Sequence, residues 1–120
     1  MTKIKKTSTH FQNKKELENE CAEVFASNII GGQWALAICC YLINGKHRFG
    51  ELKKCLPNIT ERMLSLQLRK LEENKLVKRT VYAEVPPRVE YELTSIGHEL
   101  KPLIKELENW GVRYKKHIRK

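Results

Sequence analysis

The feature that most constrains the fold of this chain is a change of hydrophobic period near residue 75. Up to Asn74 the apolar residues recur at helical spacing, whereas apolar and polar residues alternate over 77–82 and again over 88–93. Alternation with a period of two is typical of strands, and the turn between them, about residues 83–87, contains Pro86 and Pro87. The sequence therefore predicts a mainly α fold with a small β-hairpin.

Two helices are predicted in the first third of the chain. Asn13 and Glu16 have the spacing of a capping box, and the apolar positions that follow indicate a helix over about 14–29. The pair Gly31-Gly32 ends it. Residues 34–42 are apolar throughout, which predicts a short helix that is buried on every side.

Two further helices are predicted before the hairpin. The first is brief, over about 50–56, and ends at Pro57. The second is capped by Thr60, continues to about Asn74 and buries a leucine stripe at helical spacing, formed by Leu64, Leu68 and Leu71. Its other side presents hydroxyl, amide, carboxylate and guanidinium groups, carried by Thr60, Glu61, Arg62, Ser65, Gln67 and Arg69.

The last helix is predicted to begin after Thr94 or Ser95, with a kink before Pro102. Its apolar residues follow the spacing of a coiled-coil seam that one small domain cannot cover, so we expect a homodimer through the first and last helices. The expected interface residues are Leu17, Phe25, Leu103, Leu107, Trp110 and Tyr114. At 120 residues we expect one domain over 13–115, a flexible basic tail over 1–12 and a basic tail over 116–120.

The net charge of +9 indicates a polyanionic partner. Residues 46–54 and 61–80 each carry a net charge of +3, so the central part of the chain contributes strongly. The simpler interpretation, a solvated charged face, applies best to the termini. No apolar run is long enough for a membrane span, and Met1 to Gln12 lacks the apolar core of a secretory signal, so we expect a cytoplasmic protein.

This order of elements predicts a winged helix-turn-helix, in which the Thr60 helix enters the DNA major groove and the hairpin is the wing. The expected DNA-binding residues are Arg48, Thr60, Arg62, Ser65, Gln67, Arg69 and Arg88. The alternative is that the same scaffold serves as an RNA-binding or protein-interaction module. For Arg69, a further alternative is an ion pair with Glu72 or Glu73 along the helix.

Six short stretches also carry a family resemblance. They are Ile30-Gly31-Gly32-Gln33-Trp34, Arg48-Phe49-Gly50-Glu51-Leu52, Leu56-Pro57-Asn58-Ile59-Thr60, Met63-Leu64, Leu68-Arg69-Lys70-Leu71-Glu72 and Val85-Pro86-Pro87-Arg88-Val89-Glu90-Tyr91. Over about residues 20 to 111 the chain resembles the HxlR-type transcriptional regulators, which are related to the MarR group. The resemblance implies a dimeric regulator of an inverted-repeat operator, with Arg88 as the wing arginine. Gln33 and Glu61 depart from the residues common in the family.

Cys21 matches a position that in this family often holds a redox-reactive thiol. Here Ala22 replaces the family's proline, and the predicted cap at Asn13 places Cys21 in mid-helix near Glu18 and Glu20, which favours a protonated thiol. Redox sensing and simple packing both remain open for Cys21. The effector, whether a small molecule or an oxidant, is not predicted.

Other chemistry has little support in the sequence. The histidines are scattered and no C-x-x-C pair occurs, so we expect no metal site and no cofactor. No nucleophile motif or glycine-rich phosphate loop is present, so we expect no enzymatic activity. Aromatic residues make up only 8% of the chain and form no stacking platform, which makes RNA the weaker alternative to duplex DNA.

Overall fold

The computed structural model describes residues 21–119. Its elements, in chain order, are α1 (Ala22–Ile30), α2 (Ala35–Leu42), β1 (His47–Arg48), α3 (Phe49–Cys55), α4 (Glu61–Glu73), β2 (Val77–Tyr82), β3 (Arg88–Leu93), α5 (Ser95–His98) and α6 (Leu100–Ile118). The fold is mainly α with a small antiparallel sheet, as predicted. Within the described residues the chain divides into two compact units. The division falls after Gly32, whose φ of +93° favours glycine.

The first unit contains α1, and the predicted position of Cys21 within a helix is wrong. Cys21 has an extended backbone, and its carbonyl accepts the first helical hydrogen bond, from the Phe25 amide at 3.0 Å. Cys21 is therefore the N-cap residue of α1. Asn13 and the rest of the predicted 14–29 helix before Cys21 lie outside the described residues.

In the second unit, α2 is buried on one face only. Ala35, Ile38, Cys39 and Leu42 are buried, at the i, i+3, i+4 and i+7 spacing of a single helix face, while Tyr41 is 37% exposed. The prediction of burial on every side is therefore wrong. A fully apolar sequence does not reveal which face meets the core, and this helix packs against its neighbours along one stripe.

The predictions for α4 are confirmed. The Thr60 hydroxyl accepts a hydrogen bond from the Met63 amide at 3.0 Å, which caps the helix at its first turn. The leucines of the predicted stripe, Leu64, Leu68 and Leu71, are at most 1% exposed. Burial of three leucines fixes the rotation of α4 about its axis, so the polar side of the helix faces outward.

The predicted hairpin is present with the predicted bounds, but it belongs to a three-stranded sheet of order β1-β3-β2. In the hairpin Val77 is opposite Leu93 and Tyr82 is opposite Arg88. The short strand β1 joins β3 on its other edge, with Arg48 opposite Glu90. The sheet therefore connects the segment before α3 directly to the wing.

The C-terminal helix is interrupted, as predicted from Pro102. The Thr94 hydroxyl caps α5 by accepting from the Gly97 amide at 3.2 Å, and the chain turns at Glu99 before α6 begins. Pro102 lies in the first turn of α6, where its missing amide hydrogen costs no helical hydrogen bond. The helix continues to Ile118, beyond the boundary predicted at residue 115, so the segment expected to be a basic tail is helical from 116 to 118.

Gly97 marks a close approach between α5 and the sheet. A Cβ at this position would collide with the carbonyl oxygen of Leu76 and would lie 3.1 Å from Cδ2 of Leu93. Thr94 reinforces the same junction, because its hydroxyl donates to the Lys75 carbonyl at 2.6 Å. Glycine is therefore needed here for space.

Candidate nucleic-acid interface

The outward face of α4 carries most of the predicted DNA-binding residues. Arg62, Ser65 and Arg69 are exposed and follow one another at spacings of three and four, so they lie on one side of the helix. Thr60 is also exposed, but its hydroxyl caps the helix. The leucine stripe holds this face away from the core, which leaves two guanidinium groups and a hydroxyl in solvent.

Gln67 does not lie on this face. It is half-buried, and its side-chain amide donates a hydrogen bond to the Met63 sulfur at 3.5 Å. Gln67 is five residues from Arg62, which places it about 140° away around an α-helix. The structure therefore separates Gln67 from Arg62, Ser65 and Arg69.

A cleft between α4 and the wing brings together residues that are distant in sequence. Its volume is about 320 Å³, and it is lined by Ser65, Arg69, Glu72, Arg79 and Tyr91. Among residues 21–119, no carboxylate lies within 4.0 Å of Arg69 or Arg79, so the alternative of an ion pair between Arg69 and Glu72 or Glu73 finds no support in the structure. The cleft thus holds two unpaired guanidinium groups beside one carboxylate.

Arg79 was not among the residues predicted from the sequence. In the sequence it is one position of the alternating strand, between Val77 and Val81. In the structure Val77 is buried whereas Arg79 is exposed, and Arg79 is opposite Tyr91 in the hairpin. An arginine on the apolar register of a strand was the available signal, because such a residue needs either a partner or an opening to solvent.

Arg48 lies at the junction between the sheet and α3. It is exposed, and its backbone amide donates to the Glu51 carboxylate at 2.7 Å, which caps α3. Its backbone is therefore held by both β1 and the helix cap. Among residues 21–119 the Arg48 guanidinium group forms no ion pair, so it is available to an external partner.

The wing arginine is held by other residues of the chain. The guanidinium of Arg88 lies 3.2 Å (Nη2) from a Glu84 carboxylate oxygen and 3.7 Å (Nε) from a Glu90 carboxylate oxygen. It also stacks on its cross-strand neighbour Tyr82, with Cζ 4.1 Å from the ring centroid. Glu90 is in turn 3.9 Å from the Lys46 ammonium. The structure therefore places Arg88 in a charge cluster and not free in solvent.

The predicted dimer residues that the structure describes are exposed apolar side chains. On α6 the stripe is formed by Leu103, Leu107, Trp110 and Tyr114. Trp110, at 55% exposure, stacks on Tyr114 with ring centroids 5.0 Å apart. Phe25 on α1 is 47% exposed, and Leu17 lies outside the described residues. An apolar stripe of this length on a helix surface is typical of an interface.

The cysteines of the described chain are free thiols in different surroundings. Burial, and secondarily the neighbouring Cys40, raises the pKa of Cys39 to about 11. Burial and then the Glu108 carboxylate also raise the pKa of Cys40, which lines an apolar groove of about 990 Å³ between α2 and α6. Cys55 is half-buried. Cys40 is also only half-buried, so the predicted burial of residues 34–42 on every side does not hold there. Cys21 is half-buried at the start of α1.

Within residues 21–119, no three His, Cys, Asp or Glu side chains lie close enough to hold a metal ion. In the same part of the chain, no single helix is both long and apolar enough to cross a membrane.

The chain is also similar to a family of known proteins. The model of the HxlR-like helix-turn-helix family matches residues 29–119. The uncharacterized HTH-type transcriptional regulator YdeP of Bacillus subtilis (strain 168) is 50% identical over 93 residues, which cover 78% of this chain and 73% of YdeP.

Two solved structures support the same assignment. The redox regulator HypR in its reduced form matches with a TM-score of 0.76 and 42% identity, covering 79% of this chain and 94% of HypR. The reduced form of the transcriptional regulator YodB from B. subtilis matches with a TM-score of 0.68 and 33% identity, covering 75% and 89%. The chain therefore belongs to the HxlR-like helix-turn-helix family of transcriptional regulators, and its fold is a winged helix-turn-helix.

Proposed function

We propose that this regulator binds an inverted-repeat operator in double-stranded DNA as a homodimer, with α4 in the major groove and the hairpin on the flanking backbone. The observation that carries the proposal is the cleft lined by Ser65 and Arg69 of α4 and by Arg79 of the wing. Both guanidinium groups are exposed and lack an ion pair in the described chain. They can donate hydrogen bonds to phosphate oxygens or to acceptors on base edges.

The two elements of this surface have different roles in the proposal. Arg62, Ser65 and Arg69 project from one helix face, so they meet base edges and phosphates along the major groove. Arg79 projects from the wing into the same cleft and contacts the backbone beside the groove. Arg48, at the start of α3, supplies a further phosphate contact.

The homodimer rests on the apolar stripe of α6. Two copies related by a twofold axis would cover Leu103, Leu107, Trp110 and Tyr114 with the same residues of the partner or with its first helix. Phe25 joins this interface in the proposal, as does Leu17. A twofold dimer presents two recognition helices about 34 Å apart, which is one turn of the duplex.

The proposal also includes a redox signal that acts through Cys21. HypR is a redox regulator by its name, and Cys21 is a half-buried free thiol at the N-cap of α1. Modification of a thiol near the dimer interface would change the spacing of the two recognition helices. Release of DNA by a mild oxidant should therefore be lost in Cys21→Ser, and release that persists in this variant would assign the signal elsewhere.

The remaining predictions accompany this function. We propose a cytoplasmic location, since a DNA-binding regulator must be in the compartment that holds the DNA. The proposal includes no catalytic activity and no cofactor. RNA binding is the alternative function, and the experiment below distinguishes it from binding of duplex DNA.

The test is fluorescence anisotropy with a labelled 30-base-pair duplex of random sequence and a single-stranded RNA of equal length, over a salt titration. We expect the duplex to bind more tightly, and Arg69→Ala to weaken binding and flatten the salt dependence. Arg113→Ala, which removes an exposed arginine of α6, is the matched control and should change little. Equal or tighter RNA binding, or an unchanged Arg69→Ala, would contradict the proposal.

A further inference from the structure

We infer that Glu84 masks the wing arginine Arg88, and that a DNA phosphate must displace the Glu84 carboxylate before Arg88 contributes to binding. The inference rests on the proposed DNA-binding function. It assigns Glu84 as a positioning residue that lowers the affinity of the free wing for a polyanion.

The contacts of Arg88 identify Glu84 as the carboxylate that can be exchanged. Glu84 lies in the turn between the two strands, and its side chain is 49% exposed. Glu90 lies within β3, is 19% exposed and also faces Lys46. A phosphate that approaches the wing from solvent therefore meets the Glu84 side of the guanidinium first.

The position of Arg88 in the free chain leaves one donor unused. Its Nε is buried and, in the described part of the chain, has no hydrogen-bond partner, because the Glu90 oxygen is 3.7 Å away. A buried donor without an acceptor destabilises this arrangement. The contacts with Glu84 and Glu90 therefore leave one guanidinium donor of Arg88 without an acceptor in the described chain, and a phosphate that replaces the Glu84 carboxylate does not disrupt a fully hydrogen-bonded arrangement.

The charge balance of the cluster explains why the exchange matters. Lys46 and Arg88 supply two positive charges, and Glu84 and Glu90 supply two negative charges, so this part of the wing has no net charge. Phosphate binding depends on uncompensated cations, each of which contributes to the salt dependence of the affinity. With Glu84 in place, Arg88 contributes little of its charge to the first encounter with DNA.

The competing explanation is that Arg88 only fixes the wing, through Glu84, Glu90 and Tyr82. The two explanations predict opposite signs for Glu84→Gln. If Arg88 is masked, loss of the carboxylate strengthens DNA binding, whereas loss of a structural contact leaves binding unchanged or weakens it. Glu84 is exposed, so the substitution leaves the core intact.

The experiment measures binding of the labelled 30-base-pair random duplex by fluorescence anisotropy between 50 and 200 mM salt. We expect Glu84→Gln to bind about two- to five-fold more tightly, which is the range for an exposed ion pair, and to steepen the salt dependence by up to about one unit. Glu92→Gln is the matched control, because it removes the same charge from β3, and its carboxylate has no ion pair in the described residues. It should have a smaller effect.

The same substitution in an Arg88→Ala background completes the cycle. Under the masking mechanism, Glu84→Gln strengthens binding no more than Glu92→Gln does once Arg88 is absent. The inference is overturned if Glu84→Gln fails to strengthen binding, or if it strengthens binding equally with and without Arg88. A wild-type chain that does not bind the duplex would instead refute the proposed function, and the masking mechanism with it.

Discussion

Arg79→Ala is the substitution that probes the cleft between α4 and the wing most selectively, because β2 provides its own control. Lys78 and Arg79 are adjacent and both exposed, and successive side chains of a strand point to opposite faces. Arg79 lines the cleft with Ser65 and Arg69, whereas Lys78 does not. The two alanine variants therefore remove the same charge at nearly the same place.

The magnitude follows from the loss of one phosphate contact. A hydrogen bond to a charged group contributes about 1.5 to 3 kcal/mol, and the exposure of Arg79 reduces the expected loss to about 1 to 2 kcal/mol, or roughly five- to thirty-fold in affinity. Each neutralised phosphate contributes about 0.9 to the salt slope. The ratio of wild-type to Arg79→Ala affinity should therefore shrink about 3.5-fold between 50 and 200 mM salt.

The assay is the same anisotropy titration, performed with both variants on one duplex. We expect Arg79→Ala to weaken binding and flatten the slope, with Lys78→Ala close to wild type. Equal losses in the two variants would mean that the wing contributes only general charge. This result would refute the assignment of the cleft as a phosphate site.

Three further predictions concern the dimer, the packing and the thiols. Trp110→Asp should weaken dimerisation by at least about a hundredfold, since twofold symmetry places the change twice in one interface. Sedimentation equilibrium measures the dimer affinity, and a variant that dimerises as tightly as wild type would contradict the assigned interface. Gly97→Ala should lower the free energy of unfolding by about 1 to 3 kcal/mol in urea titrations, because the added Cβ collides with backbone. The control Gly111→Ala places its Cβ in open space and should raise the free energy of unfolding by up to about 1 kcal/mol. Iodoacetamide at pH 8 should alkylate Cys21 well before Cys39, because the pKa of about 11 keeps the Cys39 thiol protonated until the pH approaches that value; peptide mapping that finds Cys39 modified first would contradict its burial.

The same raised pKa has a consequence for stability. Cys39 ionises near its ordinary value of 9.0 in the unfolded chain and near 11 in the folded chain. Its contribution to stability is therefore fully present below pH 9 and is lost as the pH rises towards 11. Urea titrations of wild type and Cys39→Ala at pH 8 and pH 10.5 should show a smaller difference at the higher pH, and an increased difference would contradict the sign.

Local patterns in the sequence were sufficient for the recognition helix and the hairpin. Thr60 caps α4 as predicted, the leucine stripe is buried, and both wing strands have the predicted bounds, because each depends on residues within a few positions of one another. Strand β1 was missed, since two residues are too few for a visible alternation. Its pairing with β3 depends on residues more than forty positions away.

The side-chain environments at the site were harder to predict. The pairing of Arg88 with Glu84 and Glu90 depends on how the wing turn folds back, and the cleft position of Arg79 depends on the packing of α4 against the sheet. Gln67 is predicted on the outward face because its amide suits DNA contacts, although it lies three residues after Leu64 and four before Leu71 and therefore borders the buried stripe. The capping signal at Asn13 predicts Cys21 in mid-helix, whereas the described helix begins at Ala22.

Selection of bound sequences from a random duplex pool by the full chain, followed by native mass spectrometry of the selected complex, tests the central proposal most directly. A homodimer that inserts two α4 helices into successive major grooves predicts an inverted repeat with half-site centres about 10 base pairs apart, bound by two chains. Enrichment of a single half-site occupied by one chain, or no enrichment of duplex DNA at all, would contradict it.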